Sequence, residues 1–379
     1  MLYGPELHEP LTNASWDAER ARKAIRAIVA DADRAYDAEG FWAAQEWDAY
    51  EARLPLKNLF VGAGGLAWAL DRLRRDGHAE TTLDVNAVAR RALARYREEP
   101  DVLGNEVPTP ARSSLFNGEA GLVLIAWLLE PSDELATDLL ELVRLNIGNE
   151  ANELMWGVPG TLLAARVLYA RTGEERWRAA IEESERALRD ERDDEGLWTQ
   201  TLYGTSASYL GPIHGFVGNV AALEDAQGAA DVLARTAIVA EGRANWPPTI
   251  GSEQVPRLQW CHGAPGIIAT ASGYLDEELL LGGAELIWDA GPPHAEEKGA
   301  GLCHGTAGNG YALLKTFERT GDEQWLDRAR AFAMHALGQV EQLPSRYSLF
   351  TGGIGAALYA ADCLAARARF PIVDGMDGA

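Results

Sequence analysis

The sequence predicts an all-α ring, an α/α toroid of about seven inner and seven outer helices, and three observations predict it. A Gly-x-x-Gly pair recurs seven times, each time at the head of an apolar segment rich in Ala and Leu. Charged amphipathic stretches lie between the copies. Runs that alternate polar and β-branched residues, the raw material of a sheet, are few.

In order, the pairs are Gly62/Gly65, Gly118/Gly121, Gly157/Gly160, Gly215/Gly218, Gly263/Gly266, Gly305/Gly308 and Gly352/Gly355. Three copies, LFVGAGGLAWAL, SLFNGEAGLVLIAW and SLFTGGIGAALYAA, read as one element, with large apolar residues before the first glycine and small or aliphatic ones after the second. Glycine lets the chain turn sharply into a helix and lets neighbouring helix ends approach closely. The stretches from Asp84 to Glu98, Asp133 to Leu145, Glu174 to Leu188 and Asp322 to Leu337 put charge on one face and Ala, Leu or Trp at helical spacing on the other. They read as outer helices. Stacked pairs of this kind close into a ring with every glycine pair at the same end, and for most copies packing alone accounts for the glycines.

Nothing divides the chain into domains. The Pro- and Gly-rich stretches from Pro108 to Arg112, Trp246 to Pro256 and Ala290 to His294 read as loops between repeats. Residues 1–369 are expected to form one domain, and 370–379 a frayed, disordered tail.

Composition narrows the partners. With 57 acidic against 34 basic residues the net charge is −23, which argues against nucleic acid or an anionic membrane surface. Glu6, His8 and Glu9 stand where a signal peptide needs basic residues and an apolar run, and no apolar stretch is long enough to span a bilayer. A cytoplasmic protein without membrane insertion is expected. Three cysteines are too few for a disulfide framework in a chain of 379 residues, which leaves metal or catalysis for two of them.

The repeats differ at the residues before the first glycine. Immediately ahead of it stand Val61, Asn117, Trp156, His214, His262, His304 and Thr351, so three of the chain's seven histidines share one repeat position. One residue earlier stand Phe60, Phe116, Met155, Ile213, Cys261, Cys303 and Phe350. Repeats five and six alone read Cys-His-Gly. Two thiolates and an imidazole from adjacent inner helices suit zinc, and a three-ligand site keeps a fourth position for substrate. The competing reading makes both cysteines buried small hydrophobes. Cys363, in ADCLAA, has no such company and reads as core.

These residues carry a family resemblance. WCHGAPG from Trp260 to Gly266 and CHGTAG from Cys303 to Gly308 resemble the signature of lanthionine synthetase C-like proteins, and the first motif is closer to the eukaryotic-type branch. The resemblance spans nearly the whole chain and implies an α/α toroid of seven helix pairs with one Zn2+ per chain on Cys261, Cys303 and His304. It also implies addition of a thiol to dehydroalanine or dehydrobutyrine. Carried over residue by residue, His214 in GPIHGFVG matches the catalytic histidine, Arg257 the arginine ahead of the first cysteine, and Glu153 a position where peptide cyclases have aspartate. His262 follows the first cysteine as in the eukaryotic-type branch. Lys298 and Arg346 resemble the basic residues that hold the carboxylates of glutathione.

The chemistry so implied is a thiolate added to the β-carbon of a dehydroamino acid, a proton delivered to the α-carbon, and an enolate oxygen stabilised meanwhile. His214 is the candidate acid and Arg257 the oxyanion partner, with His262 suited to either role. The partners are then a small thiol and a peptide or protein bearing a dehydroamino acid. Three other readings stand beside this one: a lanthipeptide cyclase acting on a cysteine of its own precursor peptide, a non-catalytic zinc- or thiol-binding scaffold, and a carbohydrate-active toroid enzyme with paired carboxylates.

Overall fold

A computed structural model describes residues 1–11, 15–49, 52–102, 111–202, 204–224 and 228–376. Within them outer and inner helices alternate: α1 (Ala18–Ala35) with α2 (Ala63–Arg75), α3 (Val85–Glu98) with α4 (Glu119–Leu129), and α5 (Asp133–Asn146) with α6 (Val158–Thr172). The series continues with α7 (Glu175–Asp190) and α8 (Phe216–Leu223), then α9 (Ala229–Thr236) and α10 (Ala264–Ala271). After α11 (Glu277–Ala290) comes the single turn α12 (Ala295–Lys298) ahead of α13 (Thr306–Thr320), and α14 (Glu323–Gln342) with α15 (Gly353–Ala365) completes the set. Each inner helix touches the next, α15 meets α2, and α1 packs against α15, so the ring is closed. This is the toroid that the glycine repeat predicts.

Inner and outer helices start differently. The side chains of Asp17, Asp84, Ser132, Asp276 and Asp322 accept backbone N–H groups at the heads of five outer helices. Every inner helix instead has the first glycine of its pair at the N-cap, with no side-chain cap from that residue. The second glycine is there for space. A Cβ on Gly65, Gly121, Gly218 or Gly308 would sit 1.9–2.1 Å from the carbonyl oxygen of the residue six places earlier. The loop ahead of each inner helix therefore folds back onto its own first turn, which fixes where the residues before the glycine point.

Two short antiparallel hairpins sit between repeats, β1 (Gln200–Leu202) with β2 (Thr205–Ala207) and β3 (Ile238–Ala240) with β4 (Arg243–Asn245). Asn245 on β4 caps α10 from outside, its Oδ1 accepting the N–H of Ala264 at 2.7 Å. The centre of the ring is filled by aromatic side chains. Phe60 stacks on Phe350 with ring centroids 4.7 Å apart, and Trp260 stacks on Phe370 at 4.5 Å.

That last contact corrects the expected tail. Phe370, Ile372 and Met376 are buried in the core, and Arg369 pairs with Asp76 and Asp362. Their apolar surface plugs the ring opposite the glycine end, which Pro371 and Gly375 nearby disguise in the sequence. Residues 377–379 lie outside the described residues, as does the stretch 108–110 of the first expected loop. No helix among the described residues is long and apolar enough to cross a membrane.

Candidate active site

At the glycine end, the residues two places before the first glycines are tied to their neighbours by five backbone hydrogen bonds. The N–H of Phe60 donates to the carbonyl of Phe116 at 3.0 Å, Met155 to Ile213 at 3.3 Å, Cys261 to Cys303 at 3.3 Å, and Cys303 to Phe350 at 2.8 Å. Phe350 joins the last repeat to the first, donating to the carbonyl of Phe60 at 3.2 Å. Each repeat thus hands one side chain of the same register to one rim. In repeats five and six that side chain is a thiol, and the backbone bond between them sets the two sulfurs side by side.

The ligand atoms of Cys261, Cys303 and His304 all lie within 4.8 Å of one another, with Cys303 Sγ 3.7 Å from His304 Nε2. Both thiols are buried. Burial raises both, but Cys261 ionises first and lies well below the ordinary thiol value, because the Cys303 thiol and the imidazoles of His304 and His262 favour its thiolate. Burial and that thiolate then hold the proton on Cys303 well above it. Gln259 Nε2 also donates to Cys261 Sγ, at 2.8 Å. In the turn before α10, Gln259 and His262 exchange backbone hydrogen bonds at 3.1 and 3.0 Å, and Gly263 takes φ of +91°, which glycine alone adopts without strain.

His214 stands on the neighbouring repeat with Nδ1 2.9 Å from Oε2 of Glu153, whose side chain has no exposed surface. Glu153 also accepts the N–H groups of Met155 at 3.0 Å and Trp156 at 2.6 Å, so one carboxylate shapes its own turn and orients the imidazole of the next repeat. Burial depresses the pKa of His214, yet the hydrogen bond and charge of Glu153, with help from Cys261, outweigh it and the net shift is upward. His262 goes the other way. Burial lowers it, Cys261 opposes, and His214, Arg257 and His304 add to the lowering, while its Nδ1 is buried without a hydrogen-bond partner. Tyr209, His214 and His262 form a triangle with ring centroids 6.3 Å apart on each side.

The two thiols, Gln259 and the imidazoles of His214, His262 and His304 line a cavity of about 1130 Å³ that opens at the glycine end. Arg257, Lys298 and Arg346 line it too, as do the carboxylates of Glu46, Asp48, Asp101, Glu296 and Glu297, yet no carboxylate among the described residues forms an ion pair with any of the three cations. Lys298 is the last residue of α12, and the guanidinium of Arg346 lies against Gly299, where a Cβ would be 3.2 Å from Nη1. All three cations come from the loops of repeats five to seven. Cys363 is fully buried on α15, away from the cavity lining, where burial pushes its thiol up.

Three further residues, Gln259, Trp47 and Asp48, line the mouth, and Tyr209 packs behind two of its histidines. Gln259 shares the repeat column of Glu153 with Asn58 and Ser348, whose side chains accept the N–H of Val61 at 2.8 Å and of Thr351 at 3.2 Å, so comparison of that column points to it. Tyr209 precedes its first glycine by six residues in a repeat where the loop reaches the histidines. Trp47 and Asp48 belong to the connection between α1 and α2, outside the repeat register, and carry no such signal. The Trp47 ring sits edge-on to His304 with centroids 4.9 Å apart, and it is 66% exposed. The Thr351 hydroxyl is 2.9 and 2.8 Å from the two carboxylate oxygens of Asp48, whose carboxyl burial raises.

Three comparisons bear on this site. The family model described as "Lanthionine synthetase C-like protein" matches residues 11–374. Among curated proteins, "Glutathione S-transferase LANCL1" of Danio rerio is 36% identical over 141 residues, 34% of this chain and 34% of that protein. "LanC-like protein GCL1" of Arabidopsis thaliana is 32% identical over 127 residues, 29% of this chain and 28% of that protein. The chain thus spans about a third of the length of the curated relatives it matches. Among solved structures, "Nisin cyclase" aligns with a TM-score of 0.56 at 14% identity, covering 91% of this chain and 94% of that one, a likeness of fold.

Proposed function

The chain belongs to the lanthionine synthetase C-like family, and on that premise we propose that it adds the thiol of glutathione, or of a similar soluble thiol, to dehydroalanine or dehydrobutyrine in a peptide or protein, forming a thioether. The observation that carries the choice of thiol is the trio Arg257, Lys298 and Arg346. In a chain of net charge −23, three cations that form no ion pair among the described residues converge on one cavity beside two thiols and an imidazole, which suits a small anionic thiol.

Cys261, Cys303 and His304 fit zinc by donor type and spacing. Tetrahedral Zn–S and Zn–N bonds of about 2.0–2.3 Å require ligand atoms about 3.5–3.8 Å apart, close to the 3.7 Å between Cys303 and His304 and inside the 4.8 Å that bounds all three. When bound there, zinc supplies the Lewis acidity that keeps an incoming thiol deprotonated near neutral pH. The donation from Gln259 to Cys261 steadies the first thiolate in the way outer partners steady metal ligands.

The remaining work falls to side chains. Lys298 and Arg346 hold the carboxylates of the thiol so that its sulfur faces the triad. The sulfur bonds to the β-carbon of the dehydroamino acid, the carbon–carbon double bond breaks, and its electrons move onto the carbonyl oxygen. Arg257 stabilises that oxygen. His214, held by Glu153 through Nδ1 and raised in pKa, delivers a proton from Nε2 to the α-carbon. His262, lowered in pKa, is neutral at neutral pH and serves as a hydrogen-bonding wall to the cavity.

A peptide's own cysteine brought to the same triad would give cyclisation, as the name of nisin cyclase suggests for that protein. The cations favour the soluble thiol, because a cysteine within a peptide brings no carboxylate of its own beside the sulfur. A glycosidase reading gives no reason for two thiols and an imidazole at the rim, and two of the five carboxylates that line the cavity, Asp48 and Asp101, are bonded to Thr351 and to Lys57 with Asn58. The test is incubation of the zinc-loaded protein with a dehydroalanine peptide and glutathione. A mass increase of one glutathione per dehydroalanine supports the proposal, and no adduct with any thiol while zinc is bound leaves a non-catalytic zinc scaffold as the better account.

A further inference from the structure

Glu9 lies outside the repeats, yet its carboxylate meets partners from two places, α14 and the head of α12. Oε1 is 2.7 Å from His335 Nε2 and accepts Gln339 Nε2 at 2.8 Å, both residues buried on α14. Oε2 accepts the backbone N–H of Ala295 at 3.4 Å and lies 3.3 Å from His294 Nδ1. Gln339 in turn donates to the carbonyl of Pro293 at 3.0 Å and accepts the hydroxyl of Thr306 at 2.7 Å, two residues beyond His304. The segment carrying Glu9 runs antiparallel beside residues 291–294, with Glu9 N–H on the carbonyl of Pro292 at 2.8 Å and His294 N–H on that of Leu7 at 3.0 Å.

What this network holds is α12. A helix of one turn has too few internal hydrogen bonds to persist unaided, and its N-cap residue His294 makes no side-chain cap. Glu9 supplies the cap from elsewhere in the chain, with a carboxylate at the positive end of the turn. Burial alone would raise that carboxyl, but its bonds to Gln339, His335 and Ala295 bring it below its usual value, so the charge is present at neutral pH. The other end of α12 is Lys298, at the cavity.

We propose that Glu9 is a positioning residue for the carboxylate subsite of the thiol: by seating α12 against α14 it fixes where Lys298 enters the cavity. The proposal rests on the reading of Lys298 as a thiol-carboxylate contact. The probe is S-methylglutathione, which keeps both carboxylates but has no ionisable thiol, so its binding reads the subsite independently of turnover. Glu9→Gln and Glu9→Ala are expected to weaken its binding about tenfold, the scale of one charge-assisted contact, as is Lys298→Met. Glu9→Gln in the Lys298→Met background adds no further loss, because both act through the same contact. Turnover of 2-mercaptoethanol, which has no carboxylate, stays unchanged in Glu9→Gln.

Unaltered S-methylglutathione binding in Glu9→Gln, additive losses in the double variant, or equal loss of turnover with charged and uncharged thiols would each overturn the proposal. If the unaltered chain forms no adduct with either thiol, the reaction proposed above fails, and the S-methylglutathione series still decides the role of Glu9.

Discussion

Repeats one and six use the same backbone element for opposite purposes. Phe60 and Cys303 occupy the same register, each bonded through its N–H and C=O into the rim ring, and each precedes an inner helix that begins at glycine. Phe60 stacks on Phe350 and meets Phe116 edge-on, closing the core. Cys303 faces a second thiol and a histidine across the mouth of the cavity. The difference lies in the side chains alone: the glycines and the loop folded back on them create seven equivalent positions, and the residue placed at each decides whether it packs or reacts.

The largest effect expected from that contrast comes from exchanging the two roles. Cys303→Ala abolishes adduct formation, whereas Phe60→Ala, at the same register, retains it and costs about 3–5 kcal/mol of stability, read as a shift in the denaturant midpoint. If the Phe60 variant lost activity at unchanged stability, the division between packing and reacting repeats would break.

A smaller effect belongs to the cations of repeats five to seven. Lys298→Met or Arg346→Met raises the KM for glutathione about tenfold each and leaves kcat and the KM for 2-mercaptoethanol nearly unchanged. Equal losses with both thiols would assign these residues to general folding.

Smallest is the pH effect of Glu153→Gln. Because Glu153 raises the pKa of His214, the proposed role of His214 as an acid predicts activity that is held below that raised pKa and falls as pH climbs through it. Removing the carboxylate leaves only Cys261 to oppose burial, so the alkaline limb of the kcat profile moves to lower pH. A limb that stays in place would remove His214 from the role of proton donor.

Much of this was legible in the sequence because a closed ring turns a column of repeats into a circle in space. Comparing what stands before each glycine found Cys261, Cys303, His304, His262 and His214, and the structure gathers all five at one mouth. Glu153 was legible as a position but not as a function, since one carboxylate both closes its turn and holds a histidine 61 residues away. Gln259 was hidden in a column not compared. Trp47, Asp48 and Glu9 act from outside the repeat, and Glu9 reaches partners 286 to 330 residues distant, which no local pattern encodes. The buried tail was misread because four apolar residues, Phe370, Ile372, Val373 and Met376, stand among proline, glycine and aspartate without helical or strand periodicity.

The central claim is that two equivalent positions on one rim, Cys261 and Cys303, hold a metal together with His304. Metal analysis of the purified chain beside Cys261→Ala/Cys303→Ala tests it most directly. The account predicts about one zinc per chain in the unaltered protein and none in the double variant. Full zinc occupancy in the double variant would contradict it.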